Sequence, residues 1–352
     1  MDITKLDPNL APDRVHWEGM KTCDPNRPPF RLYGLCREPG ETDYKRLPRE
    51  VAFSMDNPQV RALYTNTAGI RLRFRTDSGR IVLRAALPDL CRFPHMPLTG
   101  TGCFDLYADG EFVTAMQPDR PLTGDGPVCY DSARSFPDRR MRDILIHFPL
   151  YNNVSQVLLG LDEDAMILSP EPYKHETPVV YYGSSITQGG CASHGGNSYQ
   201  AILSRRLHTD YRNFGFSGGC RGELALADYF ATLEMSVFVL DYDHNAPSAA
   251  FLQETHEPFF RRFREKRPEV PVILISVADR SFGEETEARR DVIRRTYDRA
   301  VAAGDKNVYF LDGDTIYRDV GRGLCTVDGC HPNDLGFWCM ANAIEKVLKP
   351  LL

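Results

Sequence analysis

The chain has 352 residues and a net charge of −6 at neutral pH. This length predicts about two domains, enough to bury a large apolar core without disulfides or metals. The acidic balance excludes a strong electrostatic attraction to nucleic acid. The sequence contains no run of 18 apolar residues, so it predicts no membrane-spanning helix. We therefore expect neither nucleic acid nor membrane as a partner.

The ten cysteines are scattered along the chain, and no C-x-x-C motif occurs. This distribution favours reduced thiols over a zinc site or a disulfide scaffold. The N-terminal stretch MDITKLDPNL also lacks the basic and apolar regions of a signal peptide. Both observations predict a cytoplasmic protein.

Residues 1–170 carry the patterns of β-strands. Apolar side chains alternate with arginines from Ile70 to Arg75, which predicts a half-buried strand. A DSG turn then leads into a second strand, RIVLRA. The stretch CFDLYADGEFVTAM predicts a hairpin with Asp109 and Gly110 at its turn. No long helix is indicated between residues 40 and 165. We therefore expect an all-β sandwich domain, jelly-roll-like, over residues 1–170.

Residues 171–352 alternate strand and helix patterns, after a proline-rich linker at 168–178. The continuous apolar strand candidates are typical of parallel strands that are buried on both faces; they are PVVYYG, SVFVLDYD, VPVILIS and NVYFLDG. The helix candidates are NSYQAILSRRL, FLQETHEPFFRRFREK and EETEARRDVIRRTYDRAVAAG. This alternation predicts a doubly wound α/β domain, flavodoxin-like, with its site beyond the carboxyl ends of the strands.

Polar side chains with catalytic potential follow these strands. Ser185 comes directly after the first strand, and Asn245 follows SVFVLDYD. Near the C-terminus, Asp328 precedes His331 by three residues, so a carboxylate and an imidazole share one loop. Such a carboxylate can accept a hydrogen bond from the ring N–H and fix the tautomer of the imidazole. The pattern indicates a serine nucleophile, Ser185, with His331 as its base.

A second serine competes for the role of nucleophile. The stretch GFSGG, residues 215–219, fits the G-x-S-x-G pattern of α/β-hydrolases and would select Ser217. The segment before it, TDYRNF, is short and polar, whereas the segment before Ser185 is apolar. A G-x-S-x-G enzyme also usually carries its acid and base on separate loops. We therefore favour Ser185 over Ser217.

Four blocks of the second half resemble the SGNH, or GDSL-type, hydrolase family, and they occur in the family order. They are GSSIT with Ser185, NFGFSGG with Gly218, DHNA with Asn245, and DGCHP with Asp328 and His331. The chain departs from the family pattern at Ser184, where the common motif has aspartate, and at Asp243 and Ala246, which replace the glycine and aspartate that often flank the asparagine. The first half resembles the β-sandwich domain named for a G-x-D-L-Y motif, through the stretches YKRLP, FPHMPLTGTGCFDLY and FPLYNNV. The stretch GCFDLY also has one residue more than G-x-D-L-Y.

The resemblance implies a serine esterase with Ser185, Asp328 and His331 as catalytic residues. It implies an oxyanion hole formed by the N–H groups of Ser185 and Gly218 and the amide of Asn245. It implies neither a metal nor an organic cofactor. The expected substrate is a small-molecule or oligosaccharide ester with a short acyl group, acetyl above all.

The sequence leaves several questions open. A lipase or thioesterase for longer acyl chains is one alternative, and a non-catalytic carbohydrate-binding protein is another. His95 in the first half and His194 after the nucleophile are candidate substrate contacts. A homo-oligomer is possible, since the sequence does not determine the oligomeric state.

Overall fold

The computed structural model describes residues 15–38, 40–118, 122, 126–278 and 283–352. The strands are β1 Met20–Cys23, β2 Arg31–Tyr33, β3 Arg71–Thr76, β4 Arg80–Leu87, β5 Phe104–Ala108, β6 Glu111–Met116, β7 Val128–Ser135, β8 Arg142–His147, β9 Gln156–Asp162, β10 Ile167–Leu168, β11 His175–Gly183, β12 Thr209–Gly215, β13 Val237–Asp241, β14 Val272–Ile275 and β15 Val308–Leu311. The α-helices are α1 Arg49–Phe53, α2 Pro58–Leu63, α3 Leu98–Thr101, α4 Ser185–Gln188, α5 Tyr199–Leu207, α6 Leu224–Phe230, α7 Ala249–Lys266, α8 Glu284–Ala302, α9 Arg322–Cys325 and α10 Asp334–Leu348. The stretch MDITKLDPNL, on which the signal-peptide prediction depends, lies outside the described residues.

Two antiparallel sheets make up the first half of the chain, as predicted. One has the order β1-β9-β4-β7, and the other has the order β10-β3-β8-β5-β6 with β2 also paired to β3. Apolar side chains from both sheets share one core, so the sheets pack face to face as a sandwich. The predicted hairpin is β5 and β6, and both turn residues have positive φ, 53° at Asp109 and 86° at Gly110. Two positive φ values are the requirement of a type I′ turn.

The strands β3 and β4 do not pair with each other, although only a short turn joins them. β3 pairs with β8, whereas β4 pairs with β7 and β9 in the opposite sheet. The chain therefore crosses from one sheet to the other at the DSG turn. Both strands then turn their apolar sides, such as Phe74 and Leu83, into the same core.

The arginine side of β3 is buried, which the alternating pattern did not predict. Arg71 is fully buried and donates a hydrogen bond to the Tyr173 hydroxyl at 2.9 Å. Its guanidinium also pairs with Asp210 and lies 4.0 Å from the ring centre of Tyr211. This face of the sandwich is covered by the second half of the chain, which supplies both Asp210 and Tyr211. The prediction of a half-buried strand was therefore wrong for β3.

The second half forms a five-stranded parallel sheet with the order β12-β11-β13-β14-β15. Numbered within the domain, this is the order 2-1-3-4-5 of the flavodoxin-like fold, as predicted. The segment TDYRNF, dismissed as too polar for a buried strand, belongs to β12. It is an edge strand that, among the described strands, pairs with β11 alone, and it buries alternate residues such as Tyr211 and Asn213. An edge position explains its polar composition.

The predicted helices of the second half correspond to α5, α7 and α8. Gly304 has a φ of +91° just beyond α8, which is the left-handed conformation expected after a helix end. Val292, Thr296 and Ala300 form the buried side of α8, whereas Ala288 is exposed. No helix in the described part of the chain is long and apolar enough to cross a membrane.

The two halves pack against each other beside the carboxyl end of the parallel sheet. Met96, Leu150 and Tyr151 from the first half belong to the same buried cluster as Ile186 and Tyr199 of the second. β10 ends at Leu168 and β11 begins at His175, so the chain passes between the two architectures within residues 169–174. The domain boundary between residues 170 and 171 stays a prediction.

The buried Arg71–Asp210 pair yields a prediction about stability. Asp210→Asn leaves the Arg71 charge buried without an anion, so we expect the free energy of unfolding to fall by about 3 kcal/mol. Urea unfolding followed by fluorescence measures the change. The control is Asp228→Asn at the exposed pair with Arg262, for which we expect about 0–1 kcal/mol. Equal losses for the two variants would contradict a stabilising role for the buried pair.

Candidate active site

Ser185 lies where β11 passes into α4. The strand ends at Gly183, and Ser184 caps the helix by accepting a hydrogen bond from the Ile186 N–H at 3.2 Å. A Cβ at Gly183 would lie 2.0 Å from Thr187 Oγ1, so only glycine permits this close turn. Ser185 follows as the first helical residue and is 7% exposed. Its hydroxyl thus stands at the carboxyl edge of the sheet, where the sequence predicted the site.

Asp328 and His331 form a compact loop before α10. One carboxylate oxygen of Asp328 accepts from the backbone N–H groups of Cys330 at 3.0 Å and His331 at 2.7 Å. The other oxygen lies 2.7 Å from His331 Nδ1. Burial alone would raise the pKa of Asp328, but these hydrogen bonds and the nearby imidazole lower it to about 2. The carboxylate is therefore ionised at neutral pH, and it fixes His331 through one contact to the ring and one to the backbone N–H.

The structure brings Ser185, His331 and Asp328 into one hydrogen-bonded chain. Ser185 Oγ lies 2.9 Å from His331 Nε2, on the opposite side of the ring from Asp328. With the proton on Nδ1, the ring donates to Asp328 and Nε2 accepts from the serine hydroxyl. This is the geometry of a nucleophile, a general base and an orienting carboxylate.

Asn245 and Gly218 lie in the turns that follow β13 and β12, the two strands on either side of β11. The Asn245 Oδ1 accepts from the Cys220 N–H at 3.2 Å, which leaves the amide NH₂ as the donor end of the side chain. Gly218 is exposed in the turn after β12 with a φ of +68°, a conformation that disfavours other residues. The same turn is linked to α4, because the Ser217 N–H donates to Gln188 Oε1 at 3.0 Å.

Ser217, the competing serine, follows a true strand but does not begin a helix. Residues 217–219 form a turn, and the next helix, α6, starts at Leu224. The side chain of Ser217 interacts with the hydroxyl of Tyr151, which in turn donates to the Ser185 carbonyl at 2.9 Å. The strand-to-helix elbow expected of a G-x-S-x-G nucleophile is thus found at Ser185 and not at Ser217.

His95 comes from the first half of the chain and lies beside the base. Its ring centre is 5.5 Å from that of His331, and the two rings are tilted by 44°. Phe93 contacts both His95 and Tyr151 through edge-on ring packing. His95 is partly exposed, so its imidazole is accessible to solvent beside His331.

His194, the other candidate contact, is held within the interface between the two halves. Its Nδ1 lies 2.5 Å from Asp105 Oδ2, and its ring stacks on Phe112 at 4.3 Å. Asp105 is fully buried and also accepts from the Gly196 N–H at 2.6 Å. Burial would raise the pKa of Asp105, but His147, His194 and the Gly196 N–H together lower it. These contacts occupy His194, so we no longer count it among the substrate contacts that we propose.

Buried acids lie beneath the site, and the sequence analysis did not single them out. Asp241 ends β13 and accepts from the Thr187 hydroxyl at 2.9 Å. Burial and the neighbouring Asp243 raise the pKa of Asp241 to about 6.

His244 lies next to these acids. Burial would lower the pKa of His244, but Asp243 at 3.6 Å, with Cys330 and Asp241, raises it to about 9. His244 is therefore a cation beside Asn245. In the sequence, the two aspartates within DYDH, at the end of a predicted parallel strand, are the pattern that could have identified these buried groups.

A small cavity opens beside Ser185. Its walls come from the residue after the nucleophile, the residue before Asn245 and the loop of the base; the lining residues are Ile186, His244, Val277, Ala278, Tyr317, Arg322, Thr326, Gly329 and Cys330. It offers about 10 Å³ to the centre of a water-sized sphere, and a single water needs about 10–15 Å³ by that measure. The cavity therefore has room for about one water or one methyl group.

Comparisons with known families agree with this architecture. Residues 176–349 match the GDSL-like lipase/acylhydrolase family, and residues 20–167 match the family described as the N-terminus of SGNH-hydrolase-type esterases. No curated protein matches the chain.

Solved structures resemble the chain over nearly its whole length. A Bacteroides ovatus protein described as a GDSL-like lipase is 28% identical, with a TM-score of 0.82 over 94% of this chain and 98% of its own. The salicylyl-acyltransferase SsfX3 of a tetracycline biosynthetic pathway is 19% identical, with a TM-score of 0.75 over 96% and 98%. A family two carbohydrate esterase from Cellvibrio japonicus is 13% identical, with a TM-score of 0.62 over 94% and 98%. The last two likenesses concern the fold alone.

The hydrogen bond between Asp328 and His331 leads to a test that does not depend on any activity. Because Nδ1–H donates to an ionised carboxylate, we expect a strongly downfield imidazole proton in the NMR spectrum of the wild type. Asp328→Asn should remove this signal, since the amide places a donor opposite Nδ1 and favours the other tautomer. His244→Gln is the control and should retain the signal. A wild-type spectrum without it would contradict the arrangement.

Proposed function

Because the chain belongs to the SGNH, or GDSL-type, hydrolase family, we propose that it is a serine esterase that removes short acyl groups, acetyl above all, from a carbohydrate. One observation carries this proposal. Ser185 Oγ lies 2.9 Å from His331 Nε2, and His331 Nδ1 lies 2.7 Å from an Asp328 carboxylate that is ionised at neutral pH. A hydroxyl in this setting can become a nucleophile toward an ester carbonyl.

The proposed reaction runs through an acyl-enzyme. Ser185 Oγ attacks the carbonyl carbon while His331 Nε2 takes the hydroxyl proton, and Asp328 stabilises the imidazolium that forms. His331 then gives this proton to the leaving alcohol, and the carbon–oxygen bond of the ester breaks. Water repeats the sequence at the acyl-serine, which releases the carboxylic acid and restores the Ser185 hydroxyl.

The developing oxyanion requires donors that are fixed in advance. We assign this role to the N–H groups of Ser185 and Gly218 and to the Asn245 amide, whose oxygen is already bound to the Cys220 N–H. A donor of this kind contributes about 2.7–4 kcal/mol to the transition state. The cationic His244, next to Asn245, adds favourable charge at the wall of the small cavity.

The size of the cavity supports a short acyl group. The methyl of an acetyl group fits a space that holds about one water, whereas a longer chain would need to displace Tyr317, Val277 or the loop of the base. Hydrolysis of longer acyl esters, as by a lipase or thioesterase, would therefore require the loop of the base to change its conformation. We therefore place the acyl group of the substrate in this cavity and its alcohol in the open space toward His95.

Two observations support a sugar as the alcohol. The partly exposed His95 imidazole lies beside the base and can form hydrogen bonds to hydroxyl groups. Similar folds occur in the Cellvibrio japonicus carbohydrate esterase and in an acetyl xylan esterase from Butyrivibrio proteoclasticus, the latter with a TM-score of 0.59 at 12% identity. His95 is the residue that we propose to contact the sugar.

The identity of the nucleophile gives the sharpest test of the proposal. Ser185→Ala should lower kcat for an acetyl ester by a factor on the order of 10⁶, because it removes the attacking atom. Ser217→Ala should retain most of the activity, since Ser217 lies outside the hydrogen-bonded chain. A serine-directed phosphonate, followed by peptide mass spectrometry, should label Ser185. Labelling of Ser217 would reject this assignment.

The cavity also predicts the dependence on acyl length. Rates for a series of 4-nitrophenyl esters should be highest for acetyl and should fall steeply by octanoyl, because each additional methylene must find space that the cavity lacks. An apolar acyl tunnel would instead add about 0.8 kcal/mol of binding per buried methylene. Rates that climb from two to eight carbons would favour a lipase or thioesterase. The measurement is kcat/KM at each chain length, with Ser185→Ala as the blank.

A further inference from the structure

Three soft metal-ligating side chains converge in front of Ser185. The ligand atoms of His95, Cys191 and His331 all lie within 4.8 Å of one another. They come from three separate segments: the first half of the chain, the turn after α4 and the loop before α10. Cys191 is buried, whereas the two histidines are partly exposed, so solvent reaches the cluster at the histidines.

The chemistry of this set suits zinc. Zinc binds cysteine sulfur at about 2.3 Å and histidine nitrogen at about 2.0–2.1 Å in a tetrahedron, which puts neighbouring ligand atoms about 3.5 Å apart. The three atoms need to approach by about 1 Å to reach this spacing. Magnesium and calcium prefer oxygen ligands and do not suit a thiol and two imidazoles.

The surroundings of the cluster already resemble those of a metal site. A histidine that binds a metal through one ring nitrogen usually donates from the other to a carboxylate. His331 has this arrangement, because Nδ1 is bound to Asp328 at 2.7 Å, which leaves Nε2 as the ligand nitrogen. Ser185 Oγ lies 2.9 Å from Nε2, so a metal bound at this nitrogen would replace the hydrogen bond of the serine.

The backbone holds Cys191 in place for this purpose. Cys191 has a φ of +74°, an uncommon value for a residue with a side chain, which persists only where the neighbours fix it. The Ser193 N–H donates to Asp334 at 2.8 Å, and the Ser193 carbonyl accepts from the Thr99 hydroxyl at 2.6 Å. A Cβ at Gly100 would lie 2.2 Å from the Ala192 carbonyl oxygen. The turn is thus clamped by both halves of the chain.

We propose that His95, Cys191 and His331 form a zinc-binding site whose occupation inhibits the enzyme. Zinc takes the lone pair of His331 Nε2 that the serine proton requires, so the bound form cannot activate Ser185. The Cys191 thiol loses its proton to solvent when the zinc–sulfur bond forms, and no electron transfer is involved. The inhibition rests on the proposed function, whereas the binding of the metal does not.

A spectroscopic titration tests the binding by itself. Co²⁺ added to the metal-free protein should produce the near-ultraviolet absorption of a thiolate–cobalt bond, and Zn²⁺ should displace it, while Mg²⁺ should not. Cys191→Ser should abolish the band. Cys330→Ser is the matched control, because Cys330 lies next to His331 but outside the cluster, and it should retain the band. His95→Gln should weaken Co²⁺ binding at least about tenfold.

The second measurement is inhibition, expressed relative to the activity of each protein without metal. Zn²⁺ should inhibit ester hydrolysis by the wild type, EDTA should reverse it, and His95→Gln and Cys191→Ser should each raise the half-inhibiting concentration at least about tenfold. Melting temperatures verify that the variants fold, and His95→Gln carries the test if Cys191→Ser does not.

The outcomes separate the two proposals. A wild type without a thiolate–cobalt band, or a band that persists in Cys191→Ser, would overturn the metal site. Equal inhibition of the wild type and both variants would also overturn it. If the wild type hydrolyses no ester, the proposed function fails, and the cobalt titration still decides whether the site exists.

Discussion

The site depends on the point where the strand order of the parallel sheet reverses. β11 has β12 on one side and β13 on the other, so the chain leaves β11 and β13 in opposite directions and opens a crevice at their carboxyl ends. Ser185 follows β11, Asn245 follows β13, and the turn with Gly218 follows β12. Three consecutive strands therefore deliver a nucleophile and two possible oxyanion donors to one edge. Only the base and its carboxylate come from elsewhere, on the loop before α10.

Residues of the β-sandwich do not only cover this crevice; they also form hydrogen bonds to the segment around Ser185. The Tyr151 hydroxyl donates to the Ser185 carbonyl, and Asp105 accepts from His194 and Gly196 in the loop after the nucleophile. One oxygen of this fully buried carboxylate, Oδ2, is satisfied by the other half of the chain, which makes separation of the two halves costly. The Arg71–Asp210 pair has the same consequence on the neighbouring face. The loop behind Ser185 is thus held by interactions that neither half could make alone.

The sequence alone was sufficient to predict the features that depend on short stretches of neighbouring residues. Each parallel strand except β12 contains a continuous apolar run. Ser185 directly follows one of these strands, and Asp328 and His331 lie three positions apart. What it missed depends on partners that are distant in sequence. The arginines of β3 appeared exposed because their covering residues, Asp210 and Tyr211, come about 140 positions later. β12 appeared too polar because an edge position tolerates such residues. His194 appeared to face the cleft because its partner, Asp105, lies in the other half.

The properties that make His331 a suitable base also make it a suitable metal ligand. In both roles the ring must be neutral, must donate from Nδ1 to an ionised carboxylate, and must present the lone pair of Nε2 to an opening. An Asp–His pair at the edge of a crevice therefore does not by itself distinguish hydrolysis from metal binding. The distinction lies in what else is within reach of Nε2. Here Ser185 serves the first role, and His95 with Cys191 serves the second. His95 belongs to the sandwich, and Cys191 lies on the turn that the sandwich clamps, so the sandwich determines whether the base of the other half can be occupied by a metal.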